Sequence, residues 1–173
     1  MPVAEKITEA LVGDHAARAV ADVFRTMLGY AVAPAGDLVS TWPAGRAVLD
    51  PGVQAMVGQV GLVGAVNGFA RLYFEETFAR ECIGRMLGVE AGELAALGPE
   101  TIYDAVGELA NMTIGSFKNG LCDAGHPCKL TIPSVLRVSD FAVADLPRWA
   151  TRYVHVFDSN GRRVVLDVLL KLE

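Results

Sequence analysis

Positive charge is scarce in this chain, and what there is lies scattered. Its 173 residues carry 15 Lys and Arg against 20 Asp and Glu, a formal net charge of -5, with no run of five or more basic residues. A protein that tracks a phosphate backbone regardless of sequence needs a positive stripe, so nucleic acid is not an expected partner. Cysteine is equally sparse. Cys82, Cys122 and Cys128 are an odd number spread through a mid-sized chain, which argues for free thiols in a reducing cytoplasm and against a disulfide scaffold. The start, Met1-Pro2-Val3-Ala4-Glu5-Lys6, lacks the basic opening and apolar run of a signal peptide.

Long charge-free runs are also few. One, residues 51–70, invites the membrane question, but it contains Gln54, Gln59 and Asn67 and glycines at 58, 61, 64 and 68. That glycine spacing lowers helix propensity, and no Lys/Arg cluster flanks the run to set an orientation. It reads as buried strands, and no membrane partner is expected. Linkers and low-complexity tracts are absent too. What the chain does have is apolar bulk: 52% hydrophobic against 20% charged residues, with a mean hydropathy of +0.35. Disorder is therefore excluded. The length suits one domain, residues 1–173, whose core needs neither disulfides nor a structural metal.

Helical periodicity first appears over residues 14–28, where Val20, Val23, Phe24, Met27 and Leu28 recur. Asp14 is the candidate N-cap, Gly29 the stop, and residues 4–12 a preceding turn or two. A polar, proline-bearing stretch follows (residues 33–52). Two strands are expected at 55–63 and 68–74, with Asn67-Gly68 as the tight turn between them. A helix over 75–87 carries Ala79, Cys82, Ile83, Met86 and Leu87 as its apolar stripe and ends at Gly88. After a helical turn at 90–97, Pro99 opens the longest helix, 100–121. A strand at 129–138 precedes a hairpin, 152–157 and 162–172, turned by Asp158-Ser159-Asn160-Gly161. The order predicts an α+β fold, long helices packed on an antiparallel sheet. A helix leading into a hairpin occurs twice, over 14–74 and over 100–172, so an internal duplication is expected.

The long helix carries the candidate chemistry. At 100° per residue, Asp104, Glu108, Asn111 and Gly115 fall within about 60° of one another. Ile102, Val106, Leu109, Thr113 and Phe117 cover the opposite side. Gly107 and Gly115 each cost roughly 1 kcal/mol relative to alanine inside a helix. Two explanations stand: a bulk-free surface on which another backbone docks beside Glu108 and Asn111, or close helix–sheet packing beneath an ordinary solvated face.

The run Asp104-Ala105-Val106-Gly107-Glu108-Leu109-Ala110-Asn111, with Pro133 downstream, resembles the signature of the CheC/CheX/FliY family of chemotaxis phosphatases. That pattern is Asp or Ser, three residues, Glu, two residues, Asn, about twenty-one residues, then Pro. Asp104, Glu108, Asn111 and Pro133 are all in register. Met112, Gly115, Ser116 and Lys118 agree with it, as does the Leu130-Thr131-Ile132-Pro133-Ser134-Val135 run, and the resemblance extends over about residues 14–172. Family members carry the motif on one or two helices. The first helix here has Asp22-Val23-Phe24-Arg25 where a second Glu-x-x-Asn would stand. Arginine cannot replace the amide, so one site per chain is expected, an arrangement most similar to CheX.

The resemblance implies hydrolysis of the aspartyl phosphate of a CheY-type response-regulator receiver, with Glu108 and Asn111 as catalytic residues. An acyl phosphate needs chiefly a water held in line with phosphorus. Asn111 offers a donor and an acceptor in one plane for that purpose. Ionised Glu108 only accepts, and the family points it at the receiver's lysine. No cofactor of its own is implied, because Mg²⁺ belongs to the receiver. Asp104, Gly107, Gly115 and Lys118 are the partner-binding candidates, Pro133 is a structural element of the motif, and a homodimer is implied. The alternative is a non-catalytic adaptor that binds a receiver or flagellar switch component. A small-molecule-binding domain has only the apolar composition in its favour.

Other groups suggest less. Cys122, His126 and Cys128 lie within seven residues, but a fourth zinc ligand is missing nearby, and buried or idle thiols are expected. His155, between Val154 and Val156, reads as a sheet residue. His15 has no evident partner. Gly58, Gly61 and Gly64 lack the Lys-Ser/Thr that completes a phosphate loop.

Overall fold

The computed structural model describes residues 4–36, 50, 52–139 and 149–171. Helix α1 (Glu9–Val23) begins at Thr8, whose Oγ1 accepts from the Leu11 N–H at 3.2 Å. The helix therefore starts well before Asp14, which lies inside it. A hydroxyl three residues ahead of a free N–H satisfies an end donor as well as a carboxylate does. The chain continues as a more widely wound π segment (Phe24–Leu28) and stops at Gly29 in the left-handed conformation, φ 68°.

The remaining elements are β1 (Ala33–Pro34), β2 (Gln54–Gly64), β3 (Asn67–Glu75), α2 (Glu76–Leu87), α3 (Ala91–Ala96), α4 (Pro99–Asp123), β4 (Cys128–Leu130), β5 (Ser134–Ser139), β6 (Ala150–Ser159) and β7 (Arg162–Lys171). Most of the polar stretch at 33–52, and the expected strand end at Leu172, lie outside the described residues. Among the described residues no helix is long and apolar enough to cross a membrane, and the charge-free run supplies β2 and the start of β3.

All strand pairs are antiparallel, in the order β1-β6-β7-β3-β2, with β4 and β5 both pairing the far edge of β2. Outward from the central β3–β7 pair, one side runs β2 then β5 and the other β6 then β1. The duplicated units are thus α1-β1-β2-β3 and α4-β5-β6-β7, and each lends its first strand to the other's hairpin. The fold class expected from the sequence, α+β with repeated helix–hairpin units, is the one observed.

Two turns differ in chemistry. At β6–β7, Asn160 and Gly161 take positive φ (53° and 81°), the two-residue hairpin turn expected of Asn-Gly. At β2–β3 the turn is Ala65-Val66, not Asn67-Gly68. Asn67 already pairs with Lys171 in the sheet, and its amide brackets the turn through Gly64, donating to Gly64 O at 3.0 Å. Gly68 is needed for space, since a Cβ there would run into the Leu169 carbonyl of β7.

One face of the sheet is covered by α1, α2 and α4, enclosing Phe24, Phe74, Phe78, Leu109, Phe117 and Leu166 in one core. Helix α4 comes closest at Gly58, where a side chain would collide with Ala110. The other face carries a smaller apolar cluster, Val57, Tyr73, Val154 and Val165. Beside it Arg152 donates from Nε and Nη2 to the two Asp167 carboxylate oxygens at 2.8 Å each, with both side chains buried.

Candidate active site on helix α4

Helix α4 is 25 residues long, with Pro99 in its first turn, where a missing N–H has no helical partner to lose. Ile102, Val106, Leu109, Thr113 and Phe117 are all buried toward the sheet, as the periodicity predicts. Thr113 satisfies its buried hydroxyl by donating to Leu109 O at 2.8 Å. On the opposite side Asp104 and Glu108 are exposed, and Asn111, Gly115 and Lys118 are half-buried. Among the described residues, no side chain hydrogen-bonds or ion-pairs with Glu108 or Asn111. An acceptor-only carboxylate and an amide therefore stand side by side, one turn apart, with their polar atoms available to another molecule.

Two of the three glycines of this helix, Gly107 and Gly115, face the link between β4 and β5. A Cβ at Gly107 would sit 3.4 Å from Val135 Cγ2 and 3.7 Å from Pro133 Cγ, and one at Gly115 would sit 3.7 Å from Leu130 Cδ1. Gly107 is buried. These are ordinary contact distances, so packing does not demand either glycine; β5 and Pro133 cover Gly107, while half-buried Gly115 is met by Leu130 of β4. Residues 130–135 run along α4 from Gly115 back to Gly107, two helical turns, and so pass beside Asn111. Thr131 ties this link to β2: its N–H donates to Gly61 O at 3.0 Å, and its Oγ1 accepts from Gly61 N at 2.9 Å. Pro133 lies in the break between β4 and β5, which pair successive stretches of β2, and it seats on Gly107.

The equivalent position, where α1 runs into the π segment, is chemically different. Arg25 donates to Asp22 Oδ1 at 2.9 Å on an exposed surface, so acid and base there neutralise each other. The cysteines end in ordinary surroundings. Cys82 is fully buried, and burial pushes its thiol up to about 12. Cys128 is pushed up to about 11 by burial and by neighbouring Cys122. The His126 ring meets the Glu5 carbonyl at 2.5 Å, and among the described residues no three potential metal ligands cluster. His15 packs against Gly120, joining α1 to α4. His155 is buried on β6, both ring nitrogens lack a hydrogen-bond partner among the described residues, and burial holds its pKa down at about 4.

A cavity of about 630 Å³ opens between α2 and α3, lined in part by Tyr30, Arg80, Arg85 and Leu94. Its polar groups are taken up internally. Arg80 bonds Glu76, and Arg85 donates to Leu28 O while lying 4.1 Å over the Tyr30 ring. Convergent free polar groups, which a small-molecule site requires, are not provided by these arginines.

The family model described as chemotaxis phosphatase CheX matches residues 56–158, more than half of the chain and all of the stretch from Asp104 to Pro133. The chain belongs to the CheX family. No curated protein sequence matches it. Among solved structures it is similar to the chemotaxis protein CheX from Vibrio vulnificus, with TM-score 0.74 and 21% identity, covering 92% of this chain and 98% of that one. A CheC-like protein from Shewanella sp. PV-4 gives TM-score 0.73 and 24% identity over 94% and 98% of the two chains. The CheX of a CheX-CheY-BeF3-Mg²⁺ complex from Borrelia burgdorferi gives TM-score 0.67 and 16% identity over 96% and 100%. At these identities the neighbours establish the fold.

The sequence pattern anticipated the polar face of α4 but not what frames it. The Leu130-Thr131-Ile132-Pro133 run matches the family pattern, but the single strand expected over 129–138 is broken at residues 131–133, with Pro133 as the local signal of the break. The Arg152–Asp167 pair had no local signal at all.

Proposed function

We propose that this protein hydrolyses the aspartyl phosphate of a phosphorylated CheY-type receiver domain. The observation that carries the reading is the pair Glu108 and Asn111, one turn apart on the open face of α4 with no partner among the described residues, in a chain of the CheX family. The Borrelia burgdorferi neighbour, in complex with CheY, beryllofluoride and Mg²⁺, shows this fold beside a receiver and supports the same partner here.

In this reading α4 lies across the receiver's phosphorylation site. The Asn111 amide oxygen accepts a hydrogen bond from a water and its NH₂ group points to the phosphoryl oxygens, so the water is held in line with phosphorus. The water oxygen bonds to phosphorus, the bond from phosphorus to the carboxylate oxygen breaks, and the receiver's aspartate and inorganic phosphate leave. Glu108 accepts from the receiver's lysine and fixes the orientation of the two proteins. Mg²⁺ belongs to the receiver and neutralises phosphoryl charge there. Asp104 and Lys118 flank the contact as charged docking groups. Because Arg25 and Asp22 neutralise each other at the end of the first helix, each chain has one site. Action in the cytoplasm as a homodimer completes the proposal.

The test is the decay of a phosphorylated CheY-type receiver from the same organism, alone, with this protein, and with its Glu108→Ala and Asn111→Ala forms. Strong acceleration that disappears in both variants is expected. Unaccelerated decay despite measurable binding would exclude catalysis on that receiver and leave an adaptor.

A further inference from the structure

Large apolar side chains exposed on the described surface are Met27, Val63, Leu87, Leu136 and Trp149, between 42% and 56% exposed, and Ile132 at 90%. Ile132 therefore makes almost no contact with its own chain. Isolated surface hydrophobes are ordinary, but this one is held in place on both sides. Thr131 before it is pinned to β2 by two hydrogen bonds to Gly61, at 3.0 and 2.9 Å. Pro133 after it has a fixed φ and lies against Gly107, its Cγ 3.7 Å from a Cβ built there. Leu130 lies at Gly115 and Pro133 at Gly107, so the segment that carries Ile132 borders the stretch of α4 that carries Asn111.

We infer that Ile132 is an apolar anchor that grips the receiver domain beside its phosphorylated aspartate. This rests on the proposed function and adds to it the part of the surface that supplies affinity. Glu108 and Asn111 are small polar contacts whose hydration must be given up on docking, so they contribute orientation more than binding strength. A β-branched side chain on a restrained loop gives up little conformational freedom when buried. The occupant is the receiver because the loop that carries Ile132 borders the stretch of α4 that carries Asn111, so a partner whose phosphoryl group reaches Asn111 comes up against the loop.

The experiment uses the full chain with Ile132→Asp, Ile132→Ala and Ile132→Leu. Two quantities are measured: the Kd for a CheY-type receiver loaded with beryllofluoride and Mg²⁺, and kcat and KM for dephosphorylation of the phosphorylated receiver. Aspartate is expected to raise Kd and KM by roughly tenfold to a hundredfold, alanine by less, and leucine to restore them. The kcat at saturation and the thermal midpoint stay at wild-type values, because the side chain touches neither the reacting atoms nor the core. Unchanged Kd and KM in Ile132→Asp overturn the anchor, as does a fall in kcat with binding intact. The wild-type protein is measured first. If it neither binds nor accelerates decay, the functional reading fails on its own, before any variant is compared.

Discussion

Pro133 sits against Gly107, its Cγ 3.7 Å from the point where a side chain on that helical position would begin. The two residues lie twenty-six positions apart in the chain, and their contact seats the β4–β5 link on α4. The contact brings the loop against the helix one residue before Glu108.

Substitutions at Gly107 should separate by size. Alanine puts its Cβ 3.4 Å from Val135 Cγ2, an ordinary contact, and recovers up to about 1 kcal/mol of helix propensity. Gly107→Ala is therefore expected to melt at or slightly above the wild-type temperature. Gly107→Leu must displace Pro133 and Val135, at a cost of about 1–3 kcal/mol. Thermal denaturation of the pair decides it, and equal melting of both variants would show that the seat is not tight.

The Arg152–Asp167 pair is buried on the sheet face away from the helices, with Arg71 a further 3.9 Å from the carboxylate. Removing Asp167 strands guanidinium charge in the interior. Asp167→Ala is expected to lose about 3–5 kcal/mol, whereas a double replacement of Arg152 and Asp167 by apolar residues of similar volume should recover much of that loss. Urea titration of single and double variants measures the difference, and a loss under 1 kcal/mol for Asp167→Ala would be the contrary result.

His155 gives stability an acid dependence. Its native pKa of about 4 lies below the usual 6.5 because burial disfavours the imidazolium, a depression that the Glu9 carboxylate opposes. Above pH 6.5 the group is neutral in both folded and unfolded chains and the full stability is present. As pH falls from 6.5 towards 4, the unfolded chain takes up the proton first and stability drops, by about 3 kcal/mol at most. Subtracting the curve of His155→Leu from that of the wild type should isolate this slope, and parallel curves over that range would disprove the assignment.

Thiol reactivity should follow exposure. Half-exposed Cys122 is expected to react first with an aromatic disulfide reagent at pH 8. Cys82, fully buried and with its thiol pushed up to about 12, should react only on unfolding. Mass mapping of the labelled native protein provides the check, and early labelling of Cys82 would contradict the packing around it.

Which features were legible in the sequence follows from the range of the interactions involved. The face shared by Asp104, Glu108 and Asn111 depends only on the 100° step of one helix, and it is present as expected. Asn160-Gly161 turns its hairpin as expected because positive φ is a property of those residues. The same argument fails at Asn67-Gly68. There the sheet claims both residues, and Gly68 serves its neighbour Leu169 in β7 rather than a turn. The start of α1 was missed because Thr8 and Asp14 are both competent caps, and only the packing of Val12 and Ala16 in the core selects the earlier one.

The amino-acid sequence alone determined the α+β class, the two helix–hairpin units and the polar strip on α4, since each arises from periodicity or turn chemistry within a few residues. Tertiary structure decided the rest. The exchange of first strands between the two units, the burial of Arg152 against Asp167, and the passage of residues 130–135 across α4 beside Asn111 all depend on strand register. Register is set by which faces the assembled sheet can bury together, and no single segment carries that information.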